Sequence, residues 1–196
     1  MKITHKITVA ILGAVLISIP LDTNGNAAPY AHTKLKEAEK ELQYHQEAER
    51  LNDLLFREGT PVHIKVVIDM LKNIDKNLEL YYPNGPFTKN DFIALGWIES
   101  EFKQYEGGTH GEKGIFQIMP DEFKDFDVTK NYYNVDVNTE MAFRVLNGKY
   151  RKYTDYKKAI MAYNGLVRFK NGKYSEKYWR AFQKRKVAID LILNGK

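Results

Sequence analysis

The chain has 196 residues and a 43% apolar fraction, enough to bury one sizeable core and too apolar for a disordered polymer. It has no cysteine, which excludes disulfides, thiolate metal sites, a cysteine nucleophile and a lipidated cysteine near the N-terminus. The net charge of +5 is uneven: residues 144–186 hold fourteen Lys or Arg against only Asp155 and Glu176, so nucleic acid, an acidic membrane surface and an anionic cell-wall polymer all fit on charge alone.

In chain order, the first element is a basic start, Lys2 and Lys6, followed by an apolar run from Ile7 to Ile19 that Pro20 stops. The run fits the core of an export signal and is short for a membrane span, which needs about 20 residues. Gly25 and Ala27 place small residues where a signal peptidase reads, so residues 1–27 are expected to be removed. An uncleaved N-terminal anchor is the alternative. Either way the remainder is expected to be exported, to a periplasm, a cell wall or the outside, with membrane contact only through this segment.

Residues 32–58, the body of a segment spanning 28–59, read as one long charged helix with a thin stripe of Leu35, Ala38, Leu42, His45, Ala48, Leu51 and Leu55. The domain proper is expected over 60–196. Thr60-Pro61 reads as a helix start, a capping hydroxyl before a proline at the first helical position. The stretch that follows is ambiguous, because Val62, Ile64, Val66 and Ile68 alternate like a strand while Ile64, Val67, Ile68, Leu71, Ile74 and Leu78 follow a helical period. The start signal and the length favour a helix. YYPNGPF is a turn-rich connector. Thr88 with Asp91 resembles a capping box and predicts a helix from about residue 89 to 104, ended by Gly107-Gly108. Residues 107–121 predict a glycine-rich loop with a short extended piece. Asp136 can cap a helix to about 147. Thr154 or Asp155 can cap another that stops at Asn164-Gly165, and a last amphipathic helix is expected from about Ser175 to Leu193. The architecture predicted is a mainly helical domain with one glycine-rich, partly extended segment, preceded by a long N-terminal helix.

The helix containing GWIESEF is apolar almost all round, which predicts burial, yet it carries Glu99 and Glu101. Glu99 falls on the stripe of Phe92 and Leu95, and Glu101 on the side of Ala94 and Trp97. A buried carboxyl group has a raised pKa, which is what a general acid needs near neutral pH. The plainer reading is a helical ion pair of Glu99 with Lys103 four residues on. The glycine-rich loop lacks the lysine-serine ending of a phosphate cradle and the strand context of a dinucleotide site. The five histidines show no zinc-protease spacing, and no serine-hydrolase elbow is present. No metal or cofactor is expected. Tyr150, Tyr153, Tyr156, Tyr163, Tyr174 and Tyr178, with Trp179, could stack on sugars or bases, although packing accounts for many such residues.

ESEF at 99–102, then Gly111, then GIFQIMP at 114–120, then AYNG at 162–165, form a combination that resembles the catalytic domain of soluble lytic transglycosylases, a branch of the lysozyme-like superfamily. The resemblance covers roughly residues 85–182. This chain departs from the usual pattern at Phe116 (usually methionine), Gly108 (usually serine, with Thr109 beside it), Gln104 (usually proline) and Leu166 (often glycine). The resemblance implies a lysozyme-like α+β fold of mainly helical content. It implies Glu99 as single acid/base, with Glu101 a bystander, in cleavage of the β-1,4 bond between N-acetylmuramic acid and N-acetylglucosamine of peptidoglycan with a 1,6-anhydro product. It further implies that Ser100, Thr109, Gln117, Met119, Tyr163 and Asn164 contact substrate, with Tyr163 the residue expected to hydrogen-bond near Glu99. Three alternatives stand beside it. The first is a goose-type-like lysozyme that hydrolyses the same bond, with an acid such as Asp121. The second is a non-catalytic wall-binding or cell-envelope assembly protein that uses the charged N-terminal helix to dock. The third, a nucleic-acid binder, is opposed by the export signal, so no nucleic-acid partner is expected.

Overall fold

The computed structural model describes residues 29–123, 131–165 and 176–194. The expected export signal, Leu166, Tyr174 and the expected helix start near Ser175 lie outside them. Among the described residues there are six α-helices: α1 (Pro29–Arg57), α2 (Ile64–Tyr81), α3 (Lys89–Ser100), α4 (Val135–Tyr153), α5 (Tyr156–Tyr163) and α6 (Lys177–Asn194), with a 3-10 turn at Pro120–Phe123. The class is mainly α, as the periodicities predict. No helix among the described residues is long and apolar enough to cross a membrane.

The chain divides into two compact units, residues 1–50 and 51–196. In the first, the described part is most of α1, where Ala31, Ala38, Tyr44 and Ala48 are buried. The expected stripe is therefore partly right: Leu35, Leu42 and His45 remain half-exposed.

The second unit opens with the end of α1, where Leu51 and Leu55 are buried. Thr60 does not start the next helix. Its backbone N–H and its hydroxyl both donate to the Leu55 carbonyl, at 2.9 and 3.3 Å, so it closes α1. The cap of α2 is His63, whose Nδ1 accepts from the Lys65 N–H. From there the helical reading of the ambiguous stretch holds, and Val67, Ile68, Met70, Leu71 and Ile74 form its buried face. Helix α4 is capped by Asn134, whose Oδ1 accepts from Asp136 N and Val137 N, and not by Asp136. Asp136 instead accepts from Asn73 of α2. Asp155 caps α5 through the Lys158 N–H, and α5 ends at Tyr163 with Asn164 as its C-cap.

Helix α3 is the centre of this unit. Every residue from Asp91 to Trp97 is buried, as an all-round apolar helix requires. It packs against α2 and α6, while α4 packs against α2 and α5. Phe92 of α3 stacks on Phe143 of α4 with centroids 3.5 Å apart. The capping box forms as read: Asp91 Oδ2 accepts from Thr88 N at 2.7 Å and from Thr88 Oγ1 at 3.1 Å. The other oxygen of Asp91 accepts from Tyr156 of α5 at 2.6 Å and Lys186 of α6 at 2.5 Å, so one fully buried carboxylate ties three helices together.

Candidate active site

Helix α3 ends at Ser100, short of the expected 104, and the reason lies in GWIESEF itself. Glu101 and Phe102 both adopt left-handed backbone, φ 55° and 62°. Their N–H groups return to Trp97 and Gly96, and the Phe102 ring folds back into the core. Gly96 makes the room: a Cβ there would lie 3.1 Å from the Phe102 ring and 3.2 Å from Ile115. With the helix finished, Lys103 cannot stand one turn beyond Glu99. It pairs with Glu101 at 3.0 Å, leaving Glu101 as a surface ion pair and Glu99 without the expected cation.

The glycine-rich segment is a compact double turn with isolated bridges, Gly107 to Lys113 and Lys113 to Ile118, in place of a longer extended piece. Three buried or half-buried side chains from three helices hold it. Ser100 of α3 donates to the Ile115 carbonyl at 2.7 Å. Asn138 of α4 accepts from Phe116 N at 2.8 Å and donates to Lys113 O at 2.8 Å and Tyr132 O at 3.0 Å. Tyr163 at the end of α5 donates to the Phe116 carbonyl at 2.9 Å. Gly114, at φ 77°, lies so close to Asn138 that a Cβ would meet its amide at 2.6 Å. Any side chain at 114 would therefore break the grip of α4 on the loop.

This loop, the end of α3 and the end of α5 enclose a cleft of about 530 Å³. Glu99 comes from α3, Thr109, His110, Glu112, Gln117 and Met119 from the loop, and Tyr163, Asn164 and Gly165 from the end of α5. Five of the six expected substrate contacts thus share one cleft with Glu99. The sixth, Ser100, does not line it. Its hydroxyl is buried and committed to Ile115 and Gly96, so its place is in the architecture of the loop. Gln117, at φ 45°, spends its amide N–H groups on Glu106 O and Gly114 O, which leaves its side-chain oxygen as the available acceptor. Asp121, the expected second acid of a hydrolase, is exposed and is not among the residues lining the cleft.

Burial pushes the Glu99 carboxyl up to about 7, and the charge of Glu112 adds to the rise. A hydroxyl opposes it: Tyr178 of α6 donates to Glu99 Oε1 at 2.5 Å, favouring the ionised form. Tyr163 shares the cleft and hydrogen-bonds the Phe116 carbonyl, while the bond to Glu99 itself comes from Tyr178. Burial, and then the charge of Glu99, hold both phenols well above their ordinary range, so both stay protonated donors. Near neutral pH the site thus presents a carboxyl group balanced between acid and base, oriented through one oxygen. That is the state general acid–base transfer requires.

The sequence reading did not single out Tyr178 as the partner of Glu99, nor Glu112, His110 and Gly165 as residues lining the cleft. Tyr178 is one tyrosine in a tyrosine-rich region, seventy-nine residues from Glu99, and only the packing of α6 on α3 selects it. Glu112 carried a readable signal, a lone acid between the glycines of the motif segment.

A family model described as the transglycosylase SLT domain matches residues 87–186, just over half of the chain. No curated protein and no solved structure matches it. The matched span runs from the capping box of α3 to Lys186 and contains the whole cleft.

Proposed function

The chain belongs to the transglycosylase SLT family, and so carries a peptidoglycan-cleaving domain of the lytic transglycosylase type; on that premise we propose that Glu99 is its single acid/base and that its product is a 1,6-anhydro sugar. The observation that carries this reading is the Glu99 carboxyl, raised to about 7 in a cleft shared with Gln117, Met119, Tyr163 and Asn164.

The steps balance without water. Protonated Glu99 gives its proton to the glycosidic oxygen as the bond from that oxygen to the muramic acid C1 breaks. The carbonyl oxygen of the muramic acid's own N-acetyl group bonds to C1, a substrate-assisted step. Ionised Glu99 then takes the proton of the 6-hydroxyl. The 6-oxygen bonds to C1 and displaces the acetamide oxygen, closing the 1,6-anhydro ring and restoring protonated Glu99. A carboxyl near 7 can give and take that proton in one turnover. Tyr178, holding Oε1, stabilises the ionised intermediate stage and leaves Oε2 for the proton. Thr109, Gln117, Met119, Tyr163 and Asn164 line the sugar groove. Export, through the basic and apolar N-terminal segment, would bring the enzyme to its wall substrate, and the basic residues of 144–186 favour the anionic wall.

The test is mass spectrometry of peptidoglycan digested by the wild type and by Glu99→Gln. Anhydro-muropeptides lost in the variant support the assignment. Reducing-end products lost in the variant would make the protein a lysozyme-type hydrolase. A folded wild type that binds peptidoglycan and releases nothing would make it a wall-binding or assembly protein.

A further inference from the structure

The cleft holds a second carboxylate that the reaction scheme does not use. Glu112 lines the same cavity as Glu99, and the described lining residues include no lysine or arginine to neutralise it. Its position is built. The His110 N–H donates to Oε2 at 2.9 Å, and His110 Nδ1 lies 3.3 Å from Oε1. The turn carrying it is closed by Gly108 N–H donating to the Glu112 carbonyl at 2.9 Å. Gly108 is also what lets the carboxylate in: a Cβ at 108 would lie 2.1 Å from Glu112 Oε2. The glycine at 108 and the acid at 112 are therefore one structural feature. The space of the missing side chain is filled by an anchored anion.

Resting on the proposed function, we propose that Glu112 is a positioning residue for the reaction: a fixed negative charge on the cleft wall that keeps the working proton on Glu99. Its own backbone bonds and His110 hold Glu112 below the usual carboxylate range, so it is ionised where Glu99 is still protonated. Among the described residues, the titratable groups at Glu99 are Tyr178 from α6, Tyr163 from the end of α5, and Glu112 with its partner His110 from the loop. Glu122 of the 3-10 turn acts on Tyr163 and is paired with Lys149 at 2.9 Å. Of these, Tyr178 favours loss of the Glu99 proton and Glu112 favours its retention.

The experiment follows the Glu99 carboxyl carbon by 13C NMR through a pH titration, in the full chain and in Glu112→Gln, Glu112→Asp and Glu101→Gln. Peptidoglycan cleavage is measured against pH on the same samples. In Glu112→Gln the Glu99 midpoint should fall by about 0.5 to 1 pH unit, and the alkaline limb of kcat/KM should move down with it. Glu112→Asp keeps the charge and should restore most of the difference. Glu101→Gln removes a carboxylate outside the cleft and should change neither. An unchanged Glu99 midpoint in Glu112→Gln overturns the proposal, even if activity falls. A Glu112→Gln variant that alters the ratio of anhydro to reducing ends would show that Glu112 activates water, and overturns it too. A wild type that cleaves no glycan refutes the proposed function, while the titration still decides the coupling of the two carboxyl groups.

Discussion

Replacing Glu99 by glutamine should stabilise the protein, and only above the pH at which an ordinary carboxyl ionises. The group is held at about 7 in the fold against 4.5 for an unperturbed glutamate. Because the folded value is the higher one, no penalty exists below about pH 4.5. It grows as pH rises towards 7 and is constant beyond, since the fold resists an ionisation that the unfolded chain allows. That interval corresponds to roughly 3 kcal/mol, and water reaching the cleft reduces the expected gain to about 1–3 kcal/mol. The introduced glutamine can still accept from Tyr178 through its amide oxygen, so the substitution removes the ionisation and keeps the local bond. Thermal unfolding of both proteins at pH 4 and pH 8 measures it. The Tm values should agree at pH 4, and the variant should be higher at pH 8 by roughly 2–12 °C, at about 2–4 °C per kcal/mol for a domain of this size. An equal difference at both pH values, or a less stable variant at pH 8, would mean that ionisation of Glu99 does not oppose folding. A glutamate that weakens its own fold is the expected mark of a group retained for chemistry.

Three further outcomes follow from the same geometry. Tyr178→Phe removes the donor to ionised Glu99, a bond of about 1.5–3 kcal/mol. The Glu99 midpoint and the alkaline limb of activity should therefore rise by about one to two pH units, with a maximal rate about tenfold lower or less, because the carboxyl loses its orientation. Asn138→Ala leaves Phe116 N, Lys113 O and Tyr132 O without their partner. It should cost about 2–4 kcal/mol in denaturant unfolding and abolish cleavage by releasing the loop. Asp91→Ala strands the half-buried Lys186 ammonium and the Tyr156 hydroxyl together and should cost about 3–5 kcal/mol in the same assay, whereas Asp91→Asn with Lys186→Met should be milder than Asp91→Ala alone.

What could be read in the sequence was local. The capping box at Thr88 and Asp91, the all-round apolarity of α3 and the cap at Asp155, one of two candidates with Thr154, each depend on a few neighbouring residues, and each is present in the fold. The misses came where a side chain answers to something distant. Thr60 looks like a cap until its hydroxyl is seen to bond backwards into α1, and Asp136 until Asn73 of α2 is seen to engage it. The early stop of α3 has no glycine to announce it. Two non-glycine residues take left-handed backbone because burying Phe102 against Gly96 and Ile115 is worth more than continuing the turn. Glu99 could be proposed from its own helix, and its resemblance to a known motif placed most of the cleft. Its hydroxyl partner could not be named, because nothing near Tyr178 in the chain distinguishes it from the other tyrosines. Ser100 stood beside the acid in the motif, yet the helix geometry turns it to the loop backbone.

In the proposed reaction, cleavage proceeds by internal ring closure through Glu99, with no water consumed. Digestion of peptidoglycan in water enriched in 18O, followed by mass spectrometry of the released muropeptides, tests it most directly. Internal ring closure gives anhydro ends free of 18O, absent when Glu99→Gln replaces the wild type. Reducing ends that carry one 18O atom per cleaved bond would contradict it and establish hydrolysis.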